Sequence, residues 1–221
     1  FEVMSAECLR RVARELPQLR QPLPPTAAPW FALLELSDAE DETHAAALLE
    51  RLFAAAFDAG EVVDAVVAQS IAEARALWAI REGIPEAQAR AGGNVKHDIS
   101  LPVSSIPSFV AATNAALAAR FAWIEPVVFG HLGDGNLHYN MAVKDGMPVA
   151  LAFAQEAAIN RIVHDAVAAA GGSISAEHGL GRFHRRLVTL GRASGEPPAV
   201  EQMIRRQDVH IGTPDEVIAS L

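Results

Sequence analysis

The stretch GHLGDGNLHYN, residues 130–140, is the most informative part of the sequence about the fold, because it joins two apolar segments through a glycine-rich turn. Asp134 and Gly135 form the residue pair that two-residue hairpin loops favour, so the stretch predicts two antiparallel strands. Counting outward from such a loop pairs His131 with His138 directly across the hairpin. Directly paired side chains lie about 5 Å apart, Cβ to Cβ, on one face of a sheet. The hairpin therefore predicts two neighbouring imidazoles on one sheet face.

Helical and strand patterns alternate before and after the hairpin. Apolar residues at helical spacing, with a polar cap or a glycine stop, predict helices. Short β-branched or alternating segments bounded by Gly, Pro or Asp predict strands. The predicted helices are 48–56, one that begins after Ser70 and kinks or breaks near Gly83 and Pro85, 107–120 and 152–170; the predicted strands are 31–36, 62–68, 95–103, 125–131 and 137–143.

This order of elements predicts an α+β fold in which helices cover one face of a largely antiparallel sheet. Five prolines in segment 17–29 predict an extended connector after a leading helix. We therefore expect a leading segment, 1–29, and a substrate-binding domain, 30–221. A chain of 221 residues can bury a core without a disulfide or a structural metal.

Composition disfavours several classes of function. The chain has 27 acidic and 18 basic residues, a net charge of −9, which disfavours a nucleic-acid partner because such binding depends on neutralising phosphates. No apolar run reaches the roughly 20 residues that a transmembrane helix needs. Cys8 is the single cysteine, which excludes an internal disulfide and fits a reducing compartment, either a bacterial cytoplasm or a mitochondrial matrix.

The spacing of polar residues indicates a metal site without establishing it. His131 and His138 supply two ligands of suitable type, and the segment SISAEHGLG, residues 173–181, offers Glu177 as a third beside His178. A single strand histidine is more often a structural residue, and a Glu-His-Gly segment alone is more often a solvated loop. Both alternatives stay open on spacing alone.

Two basic residues are candidates for binding an anionic ligand. Lys96 is one of two lysines among 18 basic residues and lies inside an apolar strand pattern, so it is expected to face a ligand. Arg81 lies near the predicted helix break, where a guanidinium group can reach a carboxylate. The alternative for each is an ordinary surface charge.

Five separated blocks of sequence together resemble the C-terminal substrate domain of flavin-linked D-2-hydroxy acid dehydrogenases. That family includes enzymes acting on D-2-hydroxyglutarate, D-lactate and glycolate. The resemblance implies the ferredoxin-like cap domain of FAD-linked oxidases. The blocks are AQS at 68–70, LWAIRE at 77–82, KHDISLP at 96–102, the hairpin at 130–140 and SISAEHGLG at 173–181.

The resemblance implies a role for each candidate residue. His131, His138 and Glu177 are expected to bind a divalent metal, zinc first, with manganese or iron also allowed. His178 is expected to act as the catalytic base. The residues expected to bind substrate are Arg81, Lys96 and Asn140.

The same resemblance implies FAD as cofactor, a small 2-hydroxy acid as substrate, and an electron acceptor protein or quinone. An upstream FAD-binding domain is expected to hold the flavin, because this chain has no glycine-rich dinucleotide fingerprint after a strand. We therefore expect the chain to be cut from a longer protein and to be inactive alone.

Two other functions stay open at this point. The chain could be a non-catalytic ligand-binding module or separate subunit that needs a flavoprotein partner. The His-His-Glu set also fits a metal-dependent hydrolase, although the sequence offers no independent nucleophile or oxyanion arrangement.

Overall fold

The computed structural model describes residues 1–36 and 42–176 of the chain. Within these ranges the chain contains five strands and six helices. The elements are β1 (Glu2–Ser5), α1 (Ala6–Glu15), β2 (Trp30–Leu33), α2 (Glu42–Asp58), α3 (Ile71–Arg90), β3 (Asp98–Ser100), α4 (Ile106–Arg120), β4 (Ile124–His131), β5 (Asn136–Val143), α5 (Ala150–Ala154) and α6 (Glu156–Ala169).

The strands form one sheet in the order β2-β1-β4-β5-β3, and every neighbouring pair is antiparallel. The hairpin strands β4 and β5 therefore lie near the centre of the sheet, and the α+β class and the antiparallel sheet are confirmed. No helix in the described ranges is long and apolar enough to cross a membrane.

Helices pack on both faces of this sheet, not on one face as the sequence analysis predicts. Val127 and Phe129 of β4 join a core with α1 and α3. Val128 of β4 and Tyr139 of β5 join the second core, with α4 and α6. Successive side chains point to opposite faces of a strand, so strands that are apolar throughout need cover on both faces.

Residues 1–15 contribute to the same sheet and core as the later elements. In β1, Glu2 stands opposite Leu33 of β2 and opposite His131 of β4. In α1, Cys8 and Val12 are fully buried in the core shared with α3. The division of the chain at residue 29 stays a prediction about domain limits.

The sequence predicts a kink or a break near Gly83 and Pro85; helix α3 continues through both residues, so a break is wrong. Proline inside a helix removes one hydrogen bond and costs about 3 kcal/mol. Ile84 and Ala87, on either side of Pro85, are fully buried in the core. Packing of this face outweighs the local cost, and Gly83 allows the Leu16 side chain to approach closely.

Three other predicted segments differ from the structure. Residues 62–68 form no strand, and Val63 there is 72% exposed, because β-branched residues stabilise a strand only where they pack against a neighbour. The predicted strand 95–103 shortens to Asp98–Ser100. The predicted helix 152–170 is divided at Gln155 into α5 and α6.

A buried charge cluster joins α1 to the start of β4. The Nε atom of Arg11 lies 2.7 Å from Oε1 of Glu7, and Nη2 lies 3.3 Å from Oε2 of Glu125. Partial burial raises the pKa of the Glu125 carboxyl, and the charge of Glu7 raises it further, although Arg11 acts in the opposite direction.

A raised pKa in the folded chain stabilises it at low pH, and this contribution is lost as pH rises through the raised value. Glu125→Gln stays neutral at every pH, so the variant should gain stability relative to wild type between about pH 4 and pH 8. Urea unfolding across this range measures the difference, with Glu50→Gln on the exposed side of α2 as control. Parallel pH profiles for wild type and Glu125→Gln would contradict the expectation.

Candidate functional site

The hairpin brings His131 and His138 to one face of the sheet, although they are not direct partners. His138 stands opposite Phe129, so the predicted two-residue loop and the predicted pairing of the two histidines are wrong. A 3₁₀ turn over Leu132–Asp134, followed by Gly135, makes the loop longer. This shifts the register by two residues, which keeps both histidines on one face of the sheet as diagonal neighbours. The Cα atoms of diagonal neighbours are typically about 7–8 Å apart.

Gly135 fixes the hairpin against the segment after β3. Its φ of +74° favours glycine, and an added Cβ would lie 2.1 Å from the carbonyl oxygen of Leu101. The Leu101 N–H donates to the Gly135 carbonyl oxygen at 2.9 Å. Both the backbone conformation and the close approach of Leu101 therefore favour glycine at position 135, and the turn is fixed relative to β3.

Glu2 of β1 connects His131 to Arg81. Its Oε1 atom lies 2.5 Å from Nδ1 of His131, and its Oε2 atom accepts from Nε of Arg81 at 2.7 Å. Glu2 is 2% exposed, whereas the His131 side chain is 44% exposed. The carboxylate therefore lies beneath the imidazole and also pairs with a nearly buried guanidinium group.

Phe129 continues the contacts from Arg81 to His138. The guanidinium carbon of Arg81 lies 4.7 Å from the Phe129 ring centroid, which is also 4.7 Å from the centroid of the His138 ring. Nδ1 of His138 in turn lies 3.5 Å from Oδ1 of Asp98, its partner on β3. One chain of contacts thus joins His131 to His138 through β1, α3 and β4, and it continues from His138 to β3.

The two histidines share an arrangement that is typical of metal ligands. In each, Nδ1 faces a carboxylate, from Glu2 or from Asp98, so Nε2 is the nitrogen that a metal would take. In the two ranges that the structure describes, no group of three or more His, Cys, Asp and Glu side chains is placed to hold a metal ion. The predicted third ligand, Glu177, and the predicted base, His178, lie outside those ranges.

Asn140 lies on this face but is engaged in structural hydrogen bonds. It is 5% exposed, its Oδ1 accepts from the backbone N–H of His97 at 3.1 Å, and its Nδ2 donates to Oε1 of Gln88 at 3.1 Å. The amide therefore ties β5 to α3 and to the segment that precedes β3.

Lys96 is exposed and directly precedes His97, whose backbone N–H donates to Asn140. Its neighbours Val95 and His97 are both buried, and the backbone of Val95 pairs with Met141. Alternation along the chain therefore puts Lys96 on the sheet face of Asp98, with the histidines and Arg81.

His97 is held on the opposite face by two hydrogen bonds. One of its ring nitrogens lies 2.8 Å from the Tyr139 carbonyl oxygen and the other 2.8 Å from Oδ1 of Asn160 on α6. Since its backbone N–H reaches Asn140, His97 links the helices on one side of the sheet to the candidate site on the other.

Cys8 takes no part in this chemistry. Its thiol donates to the Val128 carbonyl oxygen at 3.3 Å, and burial raises its pKa to about 12. At neutral pH Cys8 is therefore a protonated, buried thiol, neither a nucleophile nor a metal ligand.

Sequence reasoning missed Glu2, Phe129 and Asp98, the residues that connect the site. For Asp98 a signal was present, because it lies within the KHDISLP block. For Glu2 the signal was weak, since the short strand EVMS follows directly on the first residue and its partners are more than 70 residues away.

The family model described as "FAD linked oxidases, C-terminal domain" matches residues 1–202. The chain is 34% identical over 183 residues to D-2-hydroxyglutarate dehydrogenase of Xanthomonas citri pv. viticola, covering 83% of this chain and 38% of that protein. It is 35% identical over 208 residues to the mitochondrial D-2-hydroxyglutarate dehydrogenase of Rattus norvegicus, covering 93% and 36%. The chain thus spans little more than a third of the curated relatives it matches.

Replacing Asn140 by alanine should destabilise the fold by about 2–4 kcal/mol, because it leaves the buried His97 N–H without its acceptor and removes one of the two donors to Oε1 of Gln88, the other being Asn94. Urea unfolding measures the loss. Asn114→Ala is the control, because Asn114 accepts one hydrogen bond, from the Tyr139 hydroxyl, at a part-buried position; its loss should be smaller. An unchanged unfolding free energy for Asn140→Ala would contradict a structural role for this amide.

Proposed function

Because this chain belongs to the FAD linked oxidase C-terminal domain family, we propose that it is the substrate-binding domain of a flavin-dependent D-2-hydroxy acid dehydrogenase. The observation that carries the proposal is the continuous contact between two partly exposed histidines and Arg81 on one sheet face. Histidines that can hold a metal beside a guanidinium group suit a substrate that carries a hydroxyl and a carboxylate. The names of the relatives favour D-2-hydroxyglutarate, with D-lactate and glycolate as other candidates.

We propose that His131, His138 and Glu177 hold a divalent ion, zinc first and manganese or iron next. The support is the chemistry of the donors: two imidazoles, each with a carboxylate behind Nδ1, and a carboxylate of the right type in the neighbouring sequence block. When bound, such an ion polarises the substrate hydroxyl and lowers its pKa, and FAD supplies the hydride acceptor.

The chain's own residues bind the acid and remove its hydroxyl proton. Arg81 is proposed to bind a substrate carboxylate through its Nη groups, because Glu2 takes Nε. Lys96, exposed on the same face, is proposed to bind the anion as a second cation. Asn140 is proposed to line this pocket, and its hydrogen bonds hold the chain next to Lys96 in place. His178 is proposed to accept the hydroxyl proton of the substrate.

The proposed partners follow from what this chain would need in order to turn over. We propose that a FAD-binding domain upstream supplies the hydride acceptor and that an electron acceptor protein or quinone reoxidises it. The relatives are bacterial and mitochondrial proteins, which supports a bacterial cytoplasm or a mitochondrial matrix as the compartment.

The proposed metal site can be tested on the chain alone. The purified chain should retain about one zinc ion after dialysis, and the His131→Ala, His138→Ala double variant should lose it, since two of three protein ligands are removed. Elemental analysis measures the content, with His44→Ala on α2 as control. Equal metal in wild type and the double variant would contradict the assignment.

A further prediction separates catalysis from binding alone. The isolated chain should be colourless and inactive, and assembly with the upstream flavin domain should yield oxidation of D-2-hydroxyglutarate. In that assembly His178→Asn should keep its metal while flavin reduction slows by roughly two to four powers of ten, because proton removal is lost.

Rapid mixing at saturating substrate measures flavin reduction, with Glu177→Ala as the comparison that should lose metal. An unchanged rate for His178→Asn would remove this residue from the mechanism. Substrate binding without flavin reduction in the assembled wild type would favour a non-catalytic module, and ester hydrolysis without flavin would favour a hydrolase.

A further inference from the structure

Glu2 is a buried carboxylate with both oxygens in use. Oε2 accepts from Nε of Arg81 at 2.7 Å, while Oε1 lies 2.5 Å from Nδ1 of His131. With 2% of its surface exposed, Glu2 cannot rely on water to stabilise its charge. A carboxylate at such a position is stable only when its partners are fixed, so the same contacts also restrict Arg81 and His131.

The contact with His131 determines which ring nitrogen carries the proton. A carboxylate oxygen only accepts hydrogen bonds, so a neutral imidazole against it holds its proton on Nδ1. The lone pair is then on Nε2, the nitrogen assigned above to the metal. Glu2 therefore selects the tautomer that can bind an ion.

The contact with Arg81 determines how the guanidinium group is presented. Glu2 takes Nε, and the ring of Phe129 lies 4.7 Å from the guanidinium carbon. Four of the five N–H donors of an arginine are on its two Nη atoms, which can bind a carboxylate in a fork. The guanidinium group of Arg81 is held at its Nε edge by Glu2 and on one face by Phe129, so its orientation is defined.

The backbone keeps Glu2 itself in place. Glu2 is the first residue of β1 and pairs with a strand on each side, opposite Leu33 on β2 and His131 on β4. Its position relative to His131 is thus set by strand register, and its position relative to Arg81 by the packing of α3. These constraints make Glu2 a rigid connection between two functional groups.

We propose that Glu2 is a positioning residue that fixes the anion-binding Arg81 and the metal-binding His131 relative to each other. This inference rests on the proposed function, because it assigns Glu2 to the same site. A buried acidic residue beneath a site proposed to bind acids then has a physical reason. The charge of Glu2 interacts with Arg81 and His131 and not with the ligand.

The test uses the chain with Glu2→Gln and, as a matched control, Glu7→Gln. Glutamine keeps the shape of Glu2 but has one acceptor oxygen for two donors. Glu7 is also a buried carboxylate, paired with the buried Arg11 at 2.7 Å, and is not in contact with the site residues described above. Circular dichroism confirms that both variants fold before binding is measured.

Glu2→Gln should weaken zinc binding about 10- to 100-fold, the usual effect of losing the partner of a ligating histidine. Binding of D-2-hydroxyglutarate should weaken by roughly tenfold, since Arg81 loses its orientation. Zinc competition with a chromophoric chelator and calorimetry measure the two constants. Glu7→Gln should stay within about twofold of wild type in both.

Long-range ¹H–¹⁵N NMR on the zinc-free chain gives a readout that does not depend on metal or activity. His131 should show the Nδ1–H tautomer in wild type and in Glu7→Gln, and a mixture in Glu2→Gln. Identical tautomers and equal zinc affinity in all three proteins would overturn the inference. If wild type binds no zinc, the proposed metal site fails, and the tautomer alone decides whether Glu2 positions His131.

Discussion

The ion pair between Arg81 and Glu2 connects helix α3 to strand β1, and the arrangement of the candidate site depends on it. Both side chains are nearly excluded from water, so removing either one would leave a buried charge without its partner. The pair requires β1 to lie in register with β4 and requires α3 to pack in the core that it shares with α1 and β4. From this pair, contacts extend to His131 on one side and through Phe129 to His138 on the other.

The same strands supply the hydrophobic core and the site because their side chains alternate. Val128 packs with α4 and α6, whereas Phe129 packs with α1 and α3 and also touches Arg81 and His138. Packing in the core thus fixes the ring of Phe129, and this ring in turn contacts Arg81 and His138. The polar face is supported from the other side of the sheet as well, because His97 bonds to Asn160 on α6 while its backbone reaches Asn140.

Sequence reasoning could predict the antiparallel hairpin and the placement of both histidines on one face, because a shift of two residues leaves every side chain on its own face. It could not predict the register, which depends on how Gly135 docks on Leu101. Nor could it predict the partners Glu2 and Asp98, which come from other strands, or the continuity of α3, which depends on tertiary packing. The strand predicted at 62–68 is absent for the same reason, because these residues include β-branched side chains but pair with no neighbouring strand.

We propose that this sheet face holds a divalent ion between two histidines whose Nδ1 atoms face carboxylates. Anomalous diffraction at the zinc edge, from crystals of the chain grown with zinc, tests it most directly. One strong peak is expected about 2.0–2.1 Å from Nε2 of both His131 and His138. A zinc peak bound elsewhere, or one that contacts Nδ1 of either histidine, would contradict it.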